Sequence, residues 1–244
     1  MSKEQFTGHT FTAQEKRSHH LRELIYHYLD PTRPLRILDI GCGVGTLLFD
    51  LVKVLPLAHG TGVDISEANI QIANNSLQQL GLEKRLTFVA MDYMEFCAEE
   101  PFDLIFTYST LPLIPISTEQ LYSKIAADLT SEGILINCMP YECLYNQFLY
   151  LIRRLLRAIR GSMSDIVILT IAKALHGHQM SDSMLRERLI YMYTLPTHYD
   201  CPALRQFLYT HCQFALVAEH PEPHASIGQF KHRSTVFRKE DMHT

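Results

Sequence analysis

Three glycines at alternate positions, Gly41, Gly43 and Gly45, stand between Asp39 and a helix-forming run that begins at Thr46. Glycine permits positive φ and lets the backbone approach a ligand closely. The free amides of a helix's first turn then face whatever such a loop holds. Asp64, in Gly62-Val-Asp-Ile-Ser66, stands at the end of the next expected strand. A carboxylate there can accept from both hydroxyls of a ribose. Asp92, in Ala90-Met-Asp-Tyr93, closes the strand after that. Cys42 reads as a small filler between glycines, and Ile65 and Tyr93 flank the two outer acids. Together these positions describe one ligand-binding edge.

The spacing separates two ligand classes. A dinucleotide loop has the form G-x-G-x-x-G, and its third glycine allows close helix packing. Here Thr46 holds that third place. Asp39 would also repel a pyrophosphate, whereas it would attract a ligand bearing an ammonium and a sulfonium. Ile37-Leu-Asp-Ile-Gly-Cys-Gly-Val-Gly45 resembles the first motif of class I S-adenosylmethionine-dependent methyltransferases. The resemblance extends over roughly residues 20–140 and resumes at 202–238. It implies that Asp64 binds the ribose and Asp92 reads the adenine amino group. Phe102-Asp-Leu-Ile-Phe106 with Tyr108 is similar to the family's fourth strand. The implied cofactor-binding set is Asp39, Gly41, Cys42, Gly43, Gly45, Asp64, Ile65, Asp92, Tyr93 and Tyr108, with S-adenosylmethionine as the cofactor. Simpler roles compete: Asp64 as a helix cap, Asp92 as a solvated turn residue, and Asp103 as a structural acid.

The elements that must position this edge alternate in period. Apolar spacing predicts a helix through Leu21, Leu24, Ile25 and Tyr28, ended by Asp30-Pro31. Strands are expected at 35–40, 59–65, 86–90, 103–108 and 133–137, with helices at 46–54, 66–80 and 118–129 between them. After the fifth strand the alternation breaks, and 141–200 reads as helices alone. A helix at 202–210 and strands at 214–219 and 229–237 complete the chain. The expected fold is α/β: a mostly parallel seven-stranded sheet with helices on both faces, plus a helical insertion after the fifth strand. Residues 1–140 and 201–244 form the cofactor-binding core, and 141–200 the insertion, expected to be a lid that selects the acceptor. Leu144, Phe148, Leu151, Ile152, Leu155 and Ile159 make an apolar stripe, with Arg153, Arg154, Arg157 and Arg160 mostly on other faces. That stripe needs an apolar surface: the acceptor pocket, a twin subunit in a homodimer, or a membrane surface.

Charge and composition narrow the partners. Residues 1–140 carry 10 Lys and Arg against 17 Asp and Glu, a poor surface for a phosphate backbone. The later basic excess is too small to signal nucleic acid. The six cysteines show no CxxC, so neither a zinc site nor a disulfide framework is expected. The N-terminus has no signal-like apolar run, and no stretch has the length and apolarity of a membrane span. A cytoplasmic setting follows.

The acceptor is read mainly by exclusion. Thr107-Tyr-Ser-Thr110 replaces the Asn/Asp-Pro-Pro-Tyr/Phe run of base-amine methylases, and no Pro-Cys pair follows the fourth strand. Cys138 reads as a buried structural cysteine. His19-His20 and His176-x-His178 read as solvated helix ends, and no metal is expected. A small-molecule acceptor remains, with an RNA or protein acceptor, or a non-catalytic binding protein, as the alternatives. Candidates for a general base are His198, Tyr199 and Tyr108.

Overall fold

Runs rich in branched apolar residues become strands, and the stretches of helical period between them pack on the two faces of the resulting sheet. The computed structural model describes residues 14–176, 181–182, 185–186, 189–222 and 228–240. The strands are β1 (Leu35–Ile40), β2 (Ala58–Asp64), β3 (Leu86–Ala90), β4 (Phe102–Tyr108), β5 (Leu129–Pro140), β6 (Phe214–Pro221) and β7 (His232–Lys239). The helices are α1 (Gln14–Tyr28), α2 (Thr46–Val54), α3 (Glu67–Leu80), α4 (Thr118–Asp128), α5 (Leu144–Ala158), α6 (Ser162–His176) and α7 (Pro202–Cys212). One sheet of seven strands has the order β3-β2-β1-β4-β5-β7-β6, and β7 alone runs antiparallel to its neighbours. The link from β6 to β7 is too short for the helical crossover that parallel pairing requires, so the pair closes as a hairpin.

Alternation along each strand sends neighbouring residues to opposite faces. Ile37, Leu104, Ile134 and Val236 face α1, α2 and α3, where they meet Ile25, Leu48 and Ile70. Leu38, Ile105, Leu135 and Phe237 face α4 and α7, where they meet Tyr122, Ile125 and Leu208. The ends of α3 are set by local chemistry. The Ser66 hydroxyl accepts from the Asn69 amide, and Gly81 turns the chain out in the left-handed region at φ 64°.

Register brings the loops of interest to one edge. Ile40 pairs with Thr107 across β1 and β4. Tyr108, Cys138, Ser234 and His220 then stand in one row across β4, β5, β7 and β6. β5 is longer than its apolar run suggests. It begins at Leu129, passes a register shift opposite Phe102 and Leu104, and carries Glu132 at φ 62°. β7 starts at His232, later than expected, because the Lys231 amide and carbonyl are bound by the side chain of Asn146.

The two ends of the helical insertion are stapled together. Tyr141 and Asp200 form an isolated bridge, with the Asp200 amide donating to the Pro140 carbonyl at 2.9 Å and the Glu142 amide to the Asp200 carbonyl at 2.9 Å. The buried Asp200 carboxylate accepts from Arg205 Nε at 2.7 Å and from its terminal nitrogen at 2.6 Å, with Arg233 at 3.6 Å. Arg205 and Arg233 also pair with Glu219, at 2.8 and 2.5 Å, so loss of the Asp200 carboxylate costs its own charged hydrogen bonds, roughly 1.5–3 kcal/mol. Asp200→Ala should therefore lower the unfolding midpoint by roughly 5 °C, as read by calorimetry.

Candidate functional site

The glycine loop is held from below by β2. The amides of Gly41 and Cys42 both donate to the Val63 carbonyl, at 2.8 and 3.2 Å. Gly43 donates to Asp64 Oδ2 at 2.8 Å, and Ser66 donates to Asp64 Oδ1 at 2.8 Å. Gly45 donates to the Cys42 carbonyl at 2.9 Å and caps α2. The loop amides are thus largely committed to the protein itself. The first-turn amides of α2 are the ones left for a ligand.

Glycine is required at two of these positions for distinct reasons. At Gly41, with φ 78°, an added Cβ would lie 2.1 Å from Thr110 Oγ1. At Gly45, also at φ 78°, it would lie 2.5 Å from the Phe88 ring. Gly43 differs, since a Cβ there would meet nothing within 4 Å, so this part of the loop faces open space.

Asp39, next to last in β1, is only 2% exposed, and no Lys or Arg among the described residues pairs with it. Burial, with the nearby Asp64 charge adding to it, pushes its carboxyl well above the usual range. Cys42 is buried behind the loop, and burial raises its thiol well above the ordinary value. It packs as a filler: a Cβ on Gly62 would meet its sulfur at 2.8 Å.

The outer positions are less uniform. Ile65 is half-buried beside Asp64. Asp92 Oδ1 accepts from the Met94 amide at 3.0 Å, which makes it the organiser of the turn after β3. The Tyr93 side chain turns into the core and donates to Asp128 at 2.8 Å, with burial raising its phenol. Any part it plays at the loop falls to its backbone.

Tyr108 sits one strand from the glycine loop. Its hydroxyl donates to Glu222 Oε2 at 3.2 Å, and its ring stacks on His232 with centroids 6.3 Å apart. Ser234 donates to Glu222 Oε1 at 2.5 Å, and His20 Nε2 lies 3.3 Å from the same oxygen, an ionic contact off the hydrogen-bond axis. A small cavity lies among Tyr108, Glu222, His20, Ser234 and Leu47, and Leu47 belongs to the first turn of α2. The Glu222 carboxylate raises the His20 imidazole above its ordinary value. Burial pushes Glu222 up, but the contacts with His20, Ser234 and Tyr108 outweigh it and leave the carboxyl below its usual range.

Sequence reasoning placed His20 at a solvated helix end, whereas it is half-buried against Glu222. Glu222 and Ser234 were not foreseen at all, since nothing local marks residues that β6 and β7 deliver to Tyr108. His178 lies outside the described residues. Among the described residues no group of three or more His, Cys, Asp or Glu could hold a metal.

His198 and Tyr199 lie in different surroundings. His198 is buried with Nδ1 3.3 Å from Thr118 Oγ1, and burial lowers its pKa. Tyr199 packs edge-on to Tyr150 and Phe230, and burial raises its phenol. Thr197 ties this segment to the loop after β4 through its amide, which donates to the Pro112 carbonyl at 2.7 Å.

The parts fit a nucleoside with a cationic tail. Asp64 spends one lone pair of each oxygen on backbone amides and keeps capacity for ribose hydroxyls. Asp39 is a buried acid without a cation. Gly43 presents an open backbone.

A family model described as "Methyltransferase domain" matches residues 32–185. The chain belongs to that family, the class I S-adenosylmethionine-dependent methyltransferases, and S-adenosylmethionine is its cofactor. It is 30% identical over 123 residues to a malonyl-[acyl-carrier protein] O-methyltransferase of Bacillus cereus, covering 50% of this chain and 44% of that protein. It is 41% identical over 80 residues to a release factor glutamine methyltransferase of Rhodospirillum rubrum, covering 33% of this chain and 24% of that protein. The chain thus spans less than half the length of these curated relatives. The solved magnesium protoporphyrin IX methyltransferase of Synechocystis, with bound SAH, superimposes with a TM-score of 0.58 at 17% identity, over 93% of this chain and 83% of that one.

Two outcomes should follow. Asp64→Ala removes the brace on Gly43 and the carboxylate expected to accept from the ribose hydroxyls, and charged hydrogen bonds are worth roughly 1.5–3 kcal/mol each. S-adenosylhomocysteine affinity should fall about ten- to a hundredfold by titration calorimetry. Asp39 should behave differently. Its raised carboxyl favours the protonated form, and an ammonium brought beside it would draw it back down. Binding should therefore release a proton at pH values between the ordinary carboxylate range and the raised one, and affinity should climb with pH across that window. Calorimetry in buffers of different ionisation enthalpy should show the release in wild type and its loss in Asp39→Asn.

Proposed function

We propose that the protein methylates a small-molecule acceptor held at the C-terminal edge of the sheet, beside Tyr108. The observation that carries this reading is the hydrogen-bonded cluster of Tyr108, Glu222 and Ser234, with His20 beside it, next to the loop–helix junction at Leu47. The gap among them has room for little more than a water, so the acceptor lies against this cluster rather than inside it. When bound, the cofactor supplies a methyl group already activated on a positively charged sulfur. The chain's own residues then need to align the acceptor and exclude water. The proposed cofactor contacts are those read from the sequence: Asp39 and the glycine loop, Asp64 with Ile65, Asp92 and the turn at Tyr93.

Glu222 defines the acceptor's chemistry. A carboxylate held below its usual range stays ionised, which makes it a weak base and a strong hydrogen-bond acceptor. It suits an acceptor that presents an N–H or O–H donor, orienting that group in line with the methyl. Of the three base candidates, only Tyr108 bonds within this cluster, through its hydroxyl to Glu222. His198 and Tyr199 instead help fix the insertion, residues 141–200, to the start of α4 and to Phe230. The insertion in this reading bounds the acceptor side, since it leaves from β5 next to Tyr108 and returns through Thr197 onto Pro112. The names of several relatives agree with small acceptors, among them the malonyl group on a carrier protein and magnesium protoporphyrin.

Radiolabelled S-adenosylmethionine offered with a metabolite pool should label a small product, and tRNA and protein pools should stay cold. Label in tRNA or protein alone would overturn the assignment. Glu222→Gln should raise the acceptor KM by about tenfold or more, the worth of one charged hydrogen bond, while S-adenosylhomocysteine affinity stays at the wild-type value.

A further inference from the structure

Helix α5 presents its apolar side outward. Its buried positions are Asn146, Leu149 and Arg153. Its apolar stripe, Leu144, Phe148, Leu151, Leu155 and Ile159, is more than half exposed at every position and reaches 85% at Leu144. The orientation is fixed by the polar side. Asn146 Nδ2 donates to the Tyr141 and Lys231 carbonyls at 2.7 and 2.8 Å, and its Oδ1 accepts from the Lys231 amide at 2.8 Å. Arg153 donates to the Gly228 carbonyl at 2.9 Å, with its guanidinium 4.4 Å above the Phe230 ring. Rotating α5 to bury the stripe would strip these groups of their partners, and buried polar groups without partners are costly. Helix α6 continues the surface, since Met163, Ile166, Val167 and Ile171 are also more than half exposed. An apolar patch built from two consecutive helices is larger than a scatter of single exposed residues and marks a contact surface.

Charge identifies the partner. The whole chain has a formal net charge of -4. On the outer side of α5, the turn after it and α6, however, Arg154, Arg157, Arg160 and Lys173 stand against Asp165 and against Asp182, which pairs with Lys173 at 2.7 Å, so the exposed charge is still positive, while Arg153 is buried on the inner side. Arg154, Arg157 and Arg160 are exposed. A second copy docking through the same face would bring two positive hairpins together. A protein partner would ring its apolar centre with hydrogen bonds, at about one per 100–200 Å² of interface, and would have to set acidic groups opposite the arginines. A fluid acyl layer asks for no such bonds, and its anionic headgroups would take the arginines. Among the described residues no helix is long and apolar enough to cross a membrane, so the contact is one of lying on the surface.

We infer that the outward face of α5 and α6 docks the protein on an anionic phospholipid surface. The apolar stripe enters the boundary between headgroups and acyl chains while the arginines remain at headgroup level. This inference stands apart from the identity of the methyl acceptor, since it rests on a face that takes no part in the cofactor or acceptor site.

The test is flotation of the full-length protein with vesicles of phosphatidylglycerol and phosphatidylcholine, alongside vesicles of phosphatidylcholine alone. Binding should be strong to the anionic vesicles, about tenfold or more weaker to the neutral ones, and reduced by salt. The double variant Leu151→Glu with Leu155→Glu should lose at least about tenfold in vesicle partition. Arg154→Gln with Arg157→Gln should lose on the order of tenfold on anionic vesicles only. Unchanged thermal unfolding and S-adenosylhomocysteine binding would show that each variant is folded. Three results would overturn the inference: a folded wild type that ignores anionic vesicles, variants that bind as wild type does, or a dimer broken by the Leu151/Leu155 variant with no vesicle binding.

Discussion

Two backbone amides converge on one carboxylate, and the cofactor edge depends on that arrangement. Asp64 accepts from Gly43 in the loop after β1 and from Ser66 at the cap of α3. One side chain therefore fixes the height of the glycine loop and the entry to the following helix. The Val63 carbonyl, by accepting from Gly41 and Cys42, adds a second tie between the same two segments. With the loop so tied, positive φ at Gly41, Gly43 and Gly45 becomes a stable shape. Asp39 is held below it in a setting that resists ionisation. A buried acid with no Lys or Arg beside it suits a ligand that brings a cation, which is the charge that the cofactor's tail carries.

The remainder of the edge is assembled by sheet register. β4 places Tyr108 one strand from the loop, and β7 returns antiparallel to set Ser234 in the same row. That return also delivers Glu222 from the end of β6 and leaves it facing His20 of α1. Four polar groups from four elements thereby surround one small cavity. Their mutual contacts keep Glu222 ionised despite its burial.

The insertion shows how polar contacts can set the orientation of an apolar helix. Burial of the stripe on α5 would be favourable at roughly 25 cal/mol per Å². It is opposed by the cost of freeing Asn146, which spans Tyr141 and Lys231, and Arg153, which lies on Phe230. Asp200 joins the far end of the insertion to its beginning, so the helices project from a closed base.

The sequence by itself determined the glycine-loop unit of the fold. Gly41, Gly43, Gly45, Asp39 and Asp64 lie within a single strand–loop–helix–strand unit, where spacing along the chain and spacing in space nearly coincide. The strand count and the position of the insertion were legible for the same reason, because period and turn chemistry are local. What tertiary structure alone decided involves distant partners. Tyr93 looks like a neighbour of the cofactor in sequence, yet its phenol is claimed by Asp128 on α4. His20 looks like a solvated helix residue, and only the β6–β7 hairpin brings Glu222 to it. The stripe on α5 announces an amphipathic helix but not the direction it faces. Asn146 and Arg153 settle that direction, through carbonyl groups whose positions depend on where β7 and its approach come to rest.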